Sequence, residues 1–80
     1  MYTVTLYNQH SYYHFQPIHT EHFAQMADAQ GYIKKCIDLD REVEASSCDE
    51  MRLFDHNKEC LETWAWCPDD YDAPCDWHQV

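Results

Sequence analysis

Residues 2–7 alternate Tyr2, Val4 and Leu6 with Thr3, Thr5 and Tyr7. This is the period of two expected of a half-buried strand, whose successive side chains point to opposite faces. Asn8-Gln9-His10-Ser11 interrupts it, and Tyr12 to Gln16 resumes it with Tyr13 and Phe15 on one face and Tyr12 and His14 on the other. Pro17 has no N–H to give to a ladder and is expected to end the run. The pattern predicts a hairpin over residues 2–16.

Further on the period lengthens. Phe23, Met26, Ala27, Ile33 and Ile37 fall on one helical stripe with Gln30 in the gap. Thr20 is suited to cap the free N–H groups, Glu21 to the positive end of the helix dipole, and Lys34 and Lys35 to its negative end. A helix is predicted from about residue 20 to 38. Gly31 within it costs up to about 1 kcal/mol and is expected to let the helix approach a sheet closely. Arg41 to Ser46 suggests a short strand through Val43 and Ala45, followed by a turn at Ser46-Ser47-Cys48-Asp49.

A second hairpin is predicted from Glu50–Asp55 and Glu59–Trp66 around His56-Asn57-Lys58. The register that sets Asp55 against Glu59, Leu53 against Leu61 and Arg52 against Glu62 places apolar residues and opposite charges face to face. Asn57 is better suited than Lys58 to the left-handed position of such a loop. In this register Met51, Leu53, Leu61 and Ala65 share one face, while Phe54, Trp64 and Trp66 share the other. One helix covers only one face of a small sheet, so the second face needs the C-terminal segment, another copy or a partner. Pro68 stops the last strand. Residues 68–80 form an acidic aromatic tail expected to pack on the sheet.

Together these elements give an α+β fold: an antiparallel sheet of four or five strands on one helix, with hairpins at both ends of the chain. The core is expected where Phe23, Met26, Ile33 and Ile37 meet Val4, Leu6, Phe15 and Leu53. Eighty residues make a single compact domain, 1–80. Aromatic residues, 15% of the chain, offset the marginal core of so short a protein, because each buried ring removes roughly 150–250 Å² from water. No stretch approaches the ~20 apolar residues of a membrane helix. The N-terminus lacks the basic and apolar regions of a signal peptide. An intact cytoplasmic protein is expected. In that compartment Cys36, Cys48, Cys60, Cys67 and Cys75 are expected to be reduced.

Charge changes the picture most. Twelve of the fifteen carboxylates lie at or after Asp40, against Arg41, Arg52 and Lys58, for a net of −9 in the second half; the first half has a net of −1. The late acids alternate with aromatics: Trp64, Trp66, Asp69, Asp70, Tyr71, Asp72, Asp76, Trp77. A folded acidic surface is expected, attracting basic partners over a Debye length of ~8 Å. The net of −10 exceeds the ~2–8 that suffices for solubility in a small domain. Direct nucleic-acid binding is disfavoured, since five cations face fifteen acids. No Gly-rich phosphate loop, calcium loop or Cys-x-x-Cys pair occurs. An enzyme and a bound cofactor are not expected. If a metal is bound, Cys67, Cys75 and His78 are the candidate ligands.

In outline the chain resembles the small acidic single-domain anti-CRISPR proteins of phages and mobile elements. The resemblance rests on the strand pair, the Phe23–Ile37 helix with Gly31-Tyr32-Ile33, the Arg52-Leu53-Phe54-Asp55…Cys60-Leu61-Glu62-Thr63-Trp64 hairpin and the Asp69–Asp76 acids. It implies stoichiometric inhibition of a CRISPR effector by protein–protein contact, a frequent target being the basic DNA channel of a type I Cascade complex. A phage-encoded protein of this kind would work in the cytoplasm of the bacterial host. Charge and aromaticity alone nominate the partner-binding residues: Glu59, Glu62, Asp69, Asp70, Asp72 and Asp76 against target cations, with Trp64, Trp66, Tyr71 and Trp77 as anchors. The protein would act as a monomer or a homodimer. The alternative is a small zinc-stabilised or adaptor module whose acidity is incidental.

Overall fold

The computed structural model describes residues 1–9, 15–43, 48–66 and 76–80. Strands β1 (Tyr2–Gln9) and β2 (Phe15–Phe23) precede the helix α1 (Met26–Val43), and strands β3 (Glu50–Phe54), β4 (Cys60–Trp66) and β5 (Trp77–Gln79) follow it. The strands form one antiparallel sheet in the order β2-β1-β3-β4-β5. The helix packs on one face, where Ala29, Ile33 and Ile37 meet Val4, Leu6, Met51 and Leu53; buried Cys48 and Trp77 complete the core. The α+β architecture is thus the one the periodicities imply, with five strands among the described residues.

The first hairpin is longer than its sequence pattern suggests. Pro17 does not end the second strand; β2 continues to Phe23, which pairs with Tyr2. Two features make this possible. Among the described residues β2 is an edge strand, where a missing N–H costs no inner ladder bond, and the register jumps there so that Ile18 has no partner in β1. Thr20, Glu21 and His22, expected to start the helix, are therefore strand residues; β-branched Ile18 and Thr20 favour that conformation. Phe23 remains a core neighbour, its ring centroid 5.4 Å from that of Tyr32.

The helix is correspondingly displaced toward the C-terminus, starting at Met26 rather than near residue 20. Its inward stripe is Met26, Ala29, Ile33, Cys36 and Ile37, while Ala27 is exposed. Gly31 does not face the sheet: it is exposed, and an added Cβ would meet nothing within 4 Å. Arg41 to Val43 form the last helical turn instead of a strand. Tertiary bonds hold that end in place, Asp40 and Arg41 both being tied to the C-terminal segment. Residues 44–47 of the expected strand and turn lie outside the described residues, as does the Phe15 side chain.

The second hairpin differs in register. Leu53 pairs with Glu62 and Arg52 with Thr63, while Phe54 pairs with Cys60, so Leu61 is an extra residue in β4. This bulge reverses the faces of β4 beyond it. Trp64 stands opposite Met51, on the helix side of the sheet, and Leu61 is left exposed. The expected opposition between a Met51–Leu53 face and a Trp64–Trp66 face does not arise: both tryptophans pack against the same core. At the loop, Lys58 rather than Asn57 takes the left-handed conformation, with φ 65°. The reason is geometric. A type I turn, closed by Lys58 N–H donating to Asp55 O at 3.0 Å, leaves the left-handed position to the last loop residue.

Candidate functional site

Because each hairpin stays on its own side of the sheet, the charge asymmetry of the chain becomes an asymmetry in space. Glu21 is the only Asp, Glu, Lys or Arg among residues 1–25, so β2 and β1 are nearly neutral. Residues 48–80 carry nine acids against Arg52 and Lys58, a net of −7, and contribute the adjacent strands β3, β4 and β5. Arg52 is engaged internally: its Nε donates to Glu50 Oε2 at 2.5 Å and its guanidinium lies 5.2 Å from the Tyr7 ring centroid. Among the described residues, Asp49, Glu50, Asp55, Glu59, Glu62 and Asp76, against Arg52 and Lys58, lie on or beside β3, β4 and β5, whereas β1 and β2 hold Glu21.

At the tip of that side is the β3–β4 loop. Asp55 Oδ1 accepts from the N–H groups of Asn57 at 2.8 Å and Glu59 at 3.0 Å. Those two backbone bonds, Glu59's first, hold the Asp55 carboxyl below the usual carboxylate range. Glu59 is exposed beside it. The loop thus presents Asp55 and Glu59 on an ordered turn.

A cleft of about 340 Å³ separates the helix from β4, with Gln30, Ile33, Lys34, Ile37, Asp38 and Arg41 on one wall and Glu62 and Trp64 on the other. Glu62 is held within it by two donors, Gln30 Nε2 at 2.8 Å and the Trp64 indole N–H at 3.2 Å. Gln30, a polar gap in the apolar stripe, is there to bridge helix and strand. At the far end β5 is bound to the last turns of the helix. The Trp77 indole donates to Asp40 Oδ2 at 2.8 Å, Arg41 Nε donates to Asp76 Oδ1 at 2.6 Å, and the Trp66 and Trp77 rings meet edge to face with centroids 5.7 Å apart. Each charge favours the ionised form of the other: Asp76 is lowered, chiefly by the Arg41 bond, and Arg41 is raised, chiefly by the Asp76 bond.

The nominated partner-binding residues therefore fall into different environments. Glu59 carries its carboxylate on the surface. Glu62, Trp64 and Trp66 are half-buried around the cleft and β5. Asp76 has a structural duty in the Arg41 pair. Trp77 is 2% exposed and cannot touch a partner in this structure; it anchors β5 to the helix, because a large ring with one N–H is well placed where it meets both a core and a carboxylate. Asp69, Asp70, Tyr71 and Asp72 lie outside the described residues. Asp40, Arg41 and Gln30 escape sequence reasoning, since bonds across more than thirty positions leave no local signal.

Of the candidate metal ligands, Cys67 and Cys75 lie outside the described residues, and His78 is exposed opposite Ala65 on the sheet face away from Trp77. Among the described residues no three His, Cys, Asp or Glu side chains come together as a metal site. Cys36, Cys48 and Cys60 carry thiols rather than disulfides. Burial pushes the Cys36 thiol up, only partly opposed by its bond with Tyr32, which is the reverse of an activated nucleophile. Burial likewise raises the Tyr32 hydroxyl to about 12, with neighbouring Cys36 contributing. No described helix is long and apolar enough to cross a membrane. No family model, curated protein or solved structure matches this chain.

Proposed function

We propose that this protein is a non-enzymatic inhibitor that binds the basic nucleic-acid-binding surface of a larger complex, imitating the charge of a nucleic-acid backbone. The observation that carries the proposal is the one-sided charge: β3, β4 and β5 come from a segment with a net of −7, set beside a nearly neutral β2–β1 side. An acidic protein built only for solubility has no need to segregate its charge in this way. Carboxylates on an ordered hairpin meet target lysines and arginines without first paying the entropy of ordering. They also steer encounter, so association is fast and salt-sensitive.

From the resemblance to anti-CRISPR proteins, the proposed target is the DNA channel of a type I Cascade complex. The Asp55–Glu59 turn and the acids Asp69, Asp70 and Asp72 are its contact residues, with Trp64 and Trp66 at the margin. A pull-down from bacterial lysate, followed by competition with duplex DNA, tests it. DNA should displace the protein from its target, and reversing Asp69, Asp70 and Asp72 to Lys should weaken capture more than Trp64→Ala does. Capture indifferent both to DNA and to charge reversal would overturn mimicry and favour an adaptor whose aromatic residues dock a protein groove.

A further inference from the structure

The other side of the sheet has its own chemistry. Among the described residues β2 is an edge strand, and Pro17, Ile18, His19, Thr20 and His22 are all exposed along it. An open edge offers unpaired N–H and C=O groups to another strand, and natural proteins blunt such edges with proline, bulges and charge. Here the protection is confined to one end: Pro17 and the bulge at Ile18 disturb the start of β2, while Thr20 to Phe23 keep regular register with Thr5 to Tyr2. Lysine, the usual guard of an edge, is absent from β2.

We propose that β2 pairs with β2 of a second copy, antiparallel about Thr20, joining two sheets into one of ten strands. The complementarity of the imidazole of His19 and the carboxylate of Glu21 selects this occupant and this register. Antiparallel pairing centred on Thr20 sets Thr20 opposite Thr20 of the copy, His19 opposite its Glu21, and Glu21 opposite its His19. His19 and Glu21 are already matched within the chain, His19 Nε2 lying 2.8 Å from Glu21 Oε1. In the dimer the same pairing chemistry repeats across the two-fold axis on one face of the sheet, while Ile18 faces His22 on the other. Cross-strand pairs of this kind are what fix register.

The net of −10 per chain argues against self-association on any acidic face but not on this one. Strands lie about 4.8 Å apart, so β2 is roughly 14 Å from β4, beyond the ~8 Å Debye length at physiological salt. Such a dimer carries its acidic β3–β4–β5 sides at opposite ends. Dimerisation through β2 does not depend on what those sides bind.

Sedimentation equilibrium across a concentration series tests it, with hydrogen exchange to locate the contact. The native protein should show a monomer–dimer equilibrium, with amides of residues 18–22 gaining protection as dimer forms. Glu21→Lys replaces the carboxylate facing His19 of the copy with a cation and should weaken dimerisation about tenfold. Adding His19→Glu to Glu21→Lys sets a carboxylate opposite the new cation across the axis and should recover the affinity. Circular dichroism and urea melts of both variants, run as monomers, separate misfolding from loss of pairing. A protein monomeric at every concentration, a dimer protected elsewhere, or a dimer unaffected by Glu21→Lys would each overturn the proposal.

Discussion

The two hairpins solve the same problem with opposite means. β1 and β2 form a long, nearly neutral pair, eight and nine residues, held by the ladder itself and by the packing of Val4 and Leu6 under the helix. β3, β4 and β5 are shorter, five, seven and three residues, and seven of the nine acids of residues 48–80 lie in the segments beside them rather than in the strands. Side-chain bonds across the chain hold that side to the helix: Gln30 to Glu62, Trp77 to Asp40, Arg41 to Asp76. A region that carries so much like charge repels itself, and here specific donors and acceptors on the helix anchor it. Stability of the acidic side should therefore depend on a few named residues, and that of the neutral side on none in particular.

Trp77→Ala is the strongest test. It removes an aromatic that is both fully buried and bonded to the helix, and large-to-small changes of this kind cost about 3–5 kcal/mol. Ile33→Ala removes the centre of the helix stripe, 2% exposed, at a cost of about 2–5 kcal/mol. The two should differ in where the loss appears. By hydrogen exchange, Ile33→Ala should lower protection across the whole sheet, whereas Trp77→Ala should lower it first in β5 and β4. Equal loss in β1 and β2 for both variants would contradict the division between the two sides.

The same division explains what the sequence made legible. Periodicity located the core because Val4, Leu6, Ile33, Ile37 and Leu53 obey local patterns that no tertiary contact overrides. It misplaced the ends of the elements where a long-range partner decides. Thr20-Glu21-His22 has the chemistry of a helix start, but β1 offers it a full ladder. Leu61 alternates properly with Cys60 and Glu62, but satisfying Trp64 and Trp66 against the core takes a bulge there. Of the site, the segregation of charge along the chain was legible because it is a property of composition, and the strand order keeps each hairpin on its own side of the sheet. Which acids are exposed was not, because Glu62 and Asp76 look like Glu59 until their partners at residues 30 and 41 are known.

Gly31 sharpens the comparison from the helix between the two sides. It lies on the solvent face with room for a Cβ, and glycine in a helix interior is about 0.5–1 kcal/mol worse than alanine. Gly31→Ala should raise stability by that amount in urea melts while leaving the protection pattern of the strands unchanged. A destabilised variant would mean that the exposed face of the helix meets something in solution.

The acid limb gives the smallest effect, and its origin lies on the acidic side alone. Asp55 and Asp76 are both held below the usual carboxylate range, the first by the backbone N–H groups of Glu59 and Asn57, the second by Arg41. A carboxyl lowered on folding is protonated first in the unfolded chain, so its contribution is present above the ordinary carboxylate pKa of ~3.9 and is lost as pH falls through the lower folded value. Asp55→Asn keeps an oxygen acceptor for both N–H groups and removes the charge. Urea melts at intervals from about pH 6 to about pH 2 should show the native protein more stable than Asp55→Asn at the upper end. The gap should close as the pH falls below the ordinary carboxylate pKa, because protonation then leaves Asp55 as neutral as the asparagine. A gap that stays constant down to the lowest pH would mean that the loop draws nothing from the charge of Asp55, and that its order rests on hydrogen bonds an uncharged side chain also makes.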